Sequence, residues 1–215
     1  MKLRNTLHRF RGVLMLGLAF TALVGIATAS SVNADLVRRS NNATRLQELN
    51  PYMRPKVAAV VSDLERHGLK PLIDGAIFRT PAEQAALVRK GHSKVLYSYH
   101  NANTCDGRAR PCSPKADSLA ADIVDGQLFW SAGTPFWLKL ASSAQSHDLD
   151  SGIYWGLSEA RRKMLRDVIE SKQWNAQPRL GWDTAHVQVR GLSLVQAKAG
   201  KRLVMVNGRK VIVSR

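Results

Sequence analysis

The chain has 215 residues, with 32 Lys plus Arg against 16 Asp plus Glu, a formal charge of +16 and 45% apolar residues. That composition fits one domain with its own core and excludes a disordered chain, a collagen-like repeat or two large domains. The first 29 residues hold Lys2, Arg4, Arg9 and Arg11 and no acid, so 28 basic against 16 acidic residues, a charge of +12, remain beyond them. The basicity therefore belongs mainly to the body of the protein and favours anionic partners without naming one.

A basic stretch from Met1 to Arg11 precedes an apolar run from Gly12 to Ala27, and Ala27-Thr28-Ala29 places small residues where an export cleavage site needs them. Cleavage after Ala29 leaves 186 of the 215 residues. The competing reading is an uncleaved anchor, because the apolar run is close to the shortest length that spans a bilayer. Either way the working protein is expected outside the cytoplasm, periplasmic or secreted in the first case and held at the outer face of the inner membrane in the second.

Met53, Val57, Val60, Val61 and Leu64 recur at helical spacing, Pro55 marks where regular helix begins, and Gly68 ends it. Leu69 to Asp74 reads as a short strand before a turn at Gly75. Thr80-Pro81-Ala82-Glu83 combines a hydroxyl cap, a first-turn proline and a returning carboxylate, so a helix runs from there to a stop at Gly91. Cys105 and Cys112 follow in a polar segment. In an oxidising compartment a local disulfide is expected over a metal site, since two thiolates supply only half a structural zinc shell. Closing that eight-residue loop contributes about 2–3 kcal/mol if strain is small. Two unpaired thiols are the other reading.

Leu119 to Asp125 looks like a buried strand, and Thr134-Pro135 opens a helix that turns Phe136, Trp137, Leu138, Leu140 and Ala141 inward. Ser158 is placed to cap a further helix with Leu165, Val168 and Ile169 in its apolar stripe, and its arginines read as a solvated face. Ala185 to Val189 is a candidate strand, and Leu203–Val206 with Lys210–Val213 form a candidate hairpin around Asn207-Gly208. By strand alternation, Asp122 and Val124 share one side with Ile123 opposite, and His186 and Gln188 face together.

His100, Asp122 and His186 offer two imidazoles and a carboxylate, a donor set suited to zinc with one position left for water, and Asp183 stands three residues before His186. Spacing alone does not unite them. On a strand made of Ala120, Ala121, Ile123 and Val124, however, an unpaired Asp122 carboxylate is costly, which gives a cation a physical reason to be there.

These segments, in order, resemble the zinc D-alanyl-D-alanine carboxypeptidase and L-alanyl-D-glutamate endopeptidase family, the VanY-like M15 peptidases that include phage endolysins. Phe78-Arg79-Thr80 resembles its arginine motif, with Gln84 in the following helix. Ser98-Tyr99-His100 is similar to the first ligand motif, and Ser118-Leu119-Ala120-Ala121-Asp122 to the second, with Ser118 where glycine is usual. Gly152-Ile153-Tyr154-Trp155-Gly156 resembles the Trp-Gly segment, and Trp182-Asp183-Thr184-Ala185-His186 the last motif. The chain departs from the family in the long insertion between His100 and Asp122, which contains both cysteines. A disulfide there would staple the excursion and let the two ligands meet. The stretch from Leu157 to Gly181 is also long, suiting a substrate-facing wall or an extra surface helix.

The resemblance implies an α+β fold, a small mainly antiparallel sheet with flanking helices, Hedgehog/DD-peptidase-like. It implies one catalytic Zn2+ held by His100, Asp122 and His186, with Asp183 as acid/base. Arg79 would bind a substrate carboxylate or the developing oxyanion, or else serve as a structural ion-pair residue. Ser98, Gln84 and Trp182 would bind substrate or support the ligands. The implied partner is a peptidoglycan stem peptide, cut as an L-alanyl-D-glutamate or related endopeptidase, or alternatively as a D-alanyl-D-alanine carboxypeptidase. A noncatalytic cell-wall-binding protein is the alternative from another class. Nucleic-acid binding is not expected, because the leader conflicts with it, the arginines are dispersed and no aromatic-basic recognition motif is present. The expected organisation is residues 1–29 as signal peptide or membrane anchor, 30–44 as linker, 45–190 as the peptidase domain and 191–215 as a hairpin extension packed on it, in a monomer.

Overall fold

A four-stranded sheet in the order β1-β2-β4-β3, antiparallel at every pairing, organises the chain. The computed structural model describes residues 32–75, 77–101 and 117–214. The leader, Cys105, Cys112 and most of the insertion after His100 lie outside the described residues. Among the described residues no helix is long and apolar enough to cross a membrane. Residues 32–46 are helical (α1), and a compact unit begins at Asn41. Its elements are α2 (Arg54–Arg66), β1 (Pro71–Asp74), α3 (Pro81–Arg89), a 3-10 turn at Tyr99–Asn101, β2 (Ala120–Asp125), α4 (Thr134–Ser146) and β3 (Leu149–Ser151). A second 3-10 turn at Gly152–Tyr154 is followed by α5 (Glu159–Glu170), β4 (His186–Val189), α6 (Leu194–Lys198), and the two-stranded β5 (Arg202–Val206) and β6 (Arg209–Val213). A mixed α+β architecture is therefore present.

Alternation separates the two faces of the central strands. Ala121 and Ile123 on β2 and Val187 and Val189 on β4 join the core, while Asp122, His186 and Gln188 take the opposite side. Val57, Val60, Val61 and Leu64 of α2 and Phe136, Leu138, Leu140 and Ala141 of α4 are buried in the same core. The capping box at Thr80 forms as its residues suggest: Glu83 N–H donates to the Thr80 hydroxyl, and Thr80 N–H donates to the Glu83 carboxylate at 2.7 Å. Ser158 occupies the start of α5, but its side chain makes no capping bond. The hairpin turns through Asn207 and Gly208, both at positive φ, the conformation that a two-residue type I′ connection requires.

Two polar clamps complete this frame. Asn42 donates to Pro71 O at 2.9 Å and accepts from Ile73 N–H at 2.8 Å, which satisfies the outer edge of β1. Asp63 on α2 accepts from Ser143 Oγ at 2.7 Å and pairs with His147 Nε2 at 2.8 Å, both at the end of α4, and also meets Arg66. Burial pushes the Asp63 carboxyl up, but the hydrogen bonds from Ser143 and His147 and the charges of His147 and Arg66 outweigh it, leaving it below its ordinary value. A depressed folded-state value contributes stability above the unfolded-state value, about pH 4, and that stability is lost as pH falls through the folded-state value. Asp63→Asn is expected to lower unfolding stability by about 1–2 kcal/mol at pH 7, with the difference from the parent narrowing below about pH 4, as read by chemical denaturation at both pH values.

Candidate metal centre

Strand register brings the first two ligands together. Asp122 on β2 is the direct partner of His186 on β4. His100 reaches them from the 3-10 turn, which is tied to the sheet by Leu119 N–H donating to Tyr99 O at 3.0 Å and Arg79 N–H donating to His100 O at 3.0 Å. Candidate ligand atoms of the three residues lie within 4.8 Å of one another. The sequence expectation that these side chains converge is met, across the long insertion between His100 and Asp122.

Hydrogen bonding presets the ring nitrogens. His100 Nδ1 lies 2.7 Å from Ile77 O, a carbonyl that can only accept, so Nδ1 carries the proton and Nε2 the lone pair. That Nε2 is buried, has no hydrogen-bond partner, and lies 3.6 Å from Asp122 Oδ1. A buried lone pair facing a carboxylate oxygen is costly unless something electropositive sits between them. His186 is engaged at both ring nitrogens: its Nε2 lies 3.1 Å from Gln188 Oε1 and its Nδ1 3.2 Å from the same Asp122 Oδ1. Neighbouring ligand atoms around a tetrahedral zinc are about 3.3 Å apart, and the 3.2 and 3.6 Å separations bracket that spacing. The donor set fits zinc.

The other oxygen of Asp122 is occupied: Arg79 Nη2 donates to Oδ2 at 2.9 Å. Arg79 thus fixes the carboxylate with Oδ1 turned toward the two rings, while also lining the cleft. Burial pushes Asp122 up, but the two imidazoles beside it outweigh that and hold it well below the usual carboxylate value. Burial lowers His100, against the partly compensating charge of Asp122. His186 is also pushed down by burial, but the bond and charge of Asp122, with the charge of Asp183, raise it on balance.

Asp183 lies beside the cluster, its Oδ2 4.0 Å from His186 Nδ1. Burial raises its carboxyl above the ordinary value, which His186, His100 and Arg79 only partly oppose. Its loop is pressed against the Gly152–Gly156 segment, where Gly181 N–H donates to Ile153 O at 2.6 Å. A Cβ on Gly152 would stand 2.3 Å from Asp183 O, and one on Gly181 would stand 2.6 Å from both Ile153 O and Trp155 O. Only glycine permits these approaches.

Ser98 and Gln84 both line the cleft, and they also shape the approach to His100. Gln84 is fully buried and donates to Ser93 Oγ and Val95 O, each at 2.8 Å, and Ser98 Oγ donates to Asn101 Oδ1 at 3.1 Å. Trp182 is 60% exposed on the cleft wall, with Lys94 Nζ 5.6 Å from its ring centroid. Trp155 and Gln188 were not among the sequence-derived site residues. Trp155 packs 4.8 Å from the His186 ring, and Gln188 Oε1 lies 3.1 Å from that ring's Nε2. The His186/Gln188 alternation was the available signal for the second, whereas the first depended on tertiary packing. The cleft as a whole has a volume of ≈ 640 Å³. No family model, curated protein or solved structure matches the chain.

Zinc titration is expected to saturate at one ion per chain and to raise the melting temperature; at 100 times Kd the stabilisation is about 2.7 kcal/mol. His100→Ala or Asp122→Ala should abolish that shift, and affinity should weaken as pH falls because protons compete for the imidazoles. Gly152→Ala, which forces a backbone shift at Asp183, should cost about 1–3 kcal/mol in denaturant unfolding.

Proposed function

We propose that the protein is a zinc metallopeptidase that hydrolyses peptide bonds in peptidoglycan stem peptides, as an L-alanyl-D-glutamate or related endopeptidase. The observation that carries the metal half of this reading is the buried, partnerless His100 Nε2, aimed with His186 Nδ1 at one oxygen of Asp122. The peptide half rests on the ordered motifs from Arg79 to His186. Export through the Met1–Ala29 leader would deliver the enzyme to the wall, and the charge of +12 beyond that leader suits an anionic wall polymer.

His100, Asp122 and His186 would hold the ion. When bound, zinc supplies Lewis acidity toward a carbonyl oxygen and makes water more acidic. Asp183, within the cleft and raised by burial, is placed to accept a proton from the attacking water and to return one to the departing amine. Arg79 orients Asp122 and offers positive charge at the cleft wall. Because Asp183 removes the proton from water, no side-chain nucleophile is needed, and Ser98 remains a support for the His100 turn.

A D-alanyl-D-alanine carboxypeptidase needs a cation dedicated to the terminal carboxylate of its substrate, whereas an endopeptidase needs a groove that stays open beyond the scissile bond. Mass analysis of products from intact and crosslinked muropeptides is expected to show cleavage within the stem. Release of terminal D-alanine alone would overturn the endopeptidase assignment. Asp183→Asn should lower kcat about 10²–10⁴-fold with one zinc still bound. Wall binding by zinc-loaded protein without any peptide product would establish the noncatalytic alternative instead.

A further inference from the structure

The sheet face that bears the metal cluster continues beyond it. His186 and Gln188 share that face on β4, and Arg190 follows at the next equivalent position, just past the strand end. Gln188 is the register partner of Asp150 on β3. Here a second cavity opens, ≈ 550 Å³ in volume, with Tyr154, Arg162, Arg166 and Arg190 among its walls. Trp155 and Gln188 line both this cavity and the metal cleft, so the two spaces share a partition.

The three arginines are anchored but still accessible. Arg190 Nε donates to Asp150 Oδ1 and its Nη2 to Leu149 O, both at 2.8 Å. Arg162 Nε donates to Leu157 O at 2.9 Å, and Arg166 Nη2 to Glu159 Oε1 at 2.6 Å. Their side chains nevertheless remain 46% (Arg162), 42% (Arg166) and 41% (Arg190) exposed. Each guanidinium has five N–H donors in a planar fork that matches a carboxylate. Asp150 is the one acidic side chain in the described lining, and Glu159, which pairs with the α5 arginines, is itself 73% exposed. An exposed pair of that kind is weak and readily gives way to a better placed anion.

We infer that this cavity is a carboxylate subsite: Arg162, Arg166 and Arg190 receive an acidic group of the peptide whose scissile bond lies at the metal cluster. The inference rests on the peptidase reading for what occupies the cleft, but not for the subsite's chemistry. Two residues along a strand cover about 7 Å, so Arg190 stands about 13 Å from His186 in the strand direction, a span an extended peptide covers in about four residues. The α5 arginines that sequence assigns to a solvated face thereby gain a specific ligand.

The test is binding to zinc-loaded protein of two probes, N-acetyl-L-Ala-γ-D-isoGln-L-Lys-D-Ala-D-Ala, whose sole carboxylate is the C-terminal one, four residues beyond the L-Ala–D-isoGln bond, and the same peptide with that group amidated. Calorimetry should show the parent protein preferring the carboxylate probe about tenfold. In Arg162→Gln/Arg166→Gln the preference should fall below twofold, with affinity for the amidated probe, zinc stoichiometry and circular dichroism unchanged. Equal affinity of the parent for both probes overturns the subsite, a measurement that needs no variant. Equal loss of both probes in the double variant overturns it also. Carboxylate preference without hydrolysis of any muropeptide would sink the peptidase reading and leave the subsite standing, whereas hydrolysis without the preference would do the reverse.

Discussion

Asp122 divides its two carboxylate oxygens between opposite tasks, and the site depends on that division. Oδ2 is held by Arg79, while Oδ1 faces one nitrogen from each of two histidines whose other nitrogens are committed to Ile77 O and Gln188 Oε1. The result concentrates acceptors where an uncharged interior cannot tolerate them. A divalent cation resolves the conflict at once. Protonation of His186 resolves only part of it, because the His100 lone pair stays without a partner.

The surrounding fold makes this arrangement reproducible. Pairing of β2 with β4 fixes Asp122 opposite His186, and alternation turns both away from the core to which Ile123 and Val187 contribute. A slip of one residue in that register would exchange the polar and apolar faces together. The core therefore enforces the site: burying Ala121, Ile123, Val187 and Val189 leaves Asp122, His186 and Gln188 no other side to occupy.

Much of this was legible from sequence because the relevant rules are local. Thr80-Pro81 with Glu83 specified the start of a helix, Asn207-Gly208 specified a tight hairpin, and alternation placed His186 with Gln188. The convergence of His100 with Asp122 was legible only through the ordered motifs, since 22 positions separate them. What escaped depends on tertiary neighbours. The three-residue β3 is too short to leave a periodic signal, and the packing of Trp155 on His186 arises from the turn at Gly152–Tyr154 meeting the loop before β4. Arg162 and Arg166 follow the spacing of a solvated helix face, and nothing local reveals the cavity that Arg190 completes with them.

The hydrogen bonds from Asn42 along β1 bear on how copies of the molecule meet. Strand addition needs an edge with vacant donors and acceptors, and the amide of one asparagine already fills that role at Pro71 and Ile73. On that flank the sheet is closed to recruitment of another chain, so the protein gains protection from edge-to-edge association.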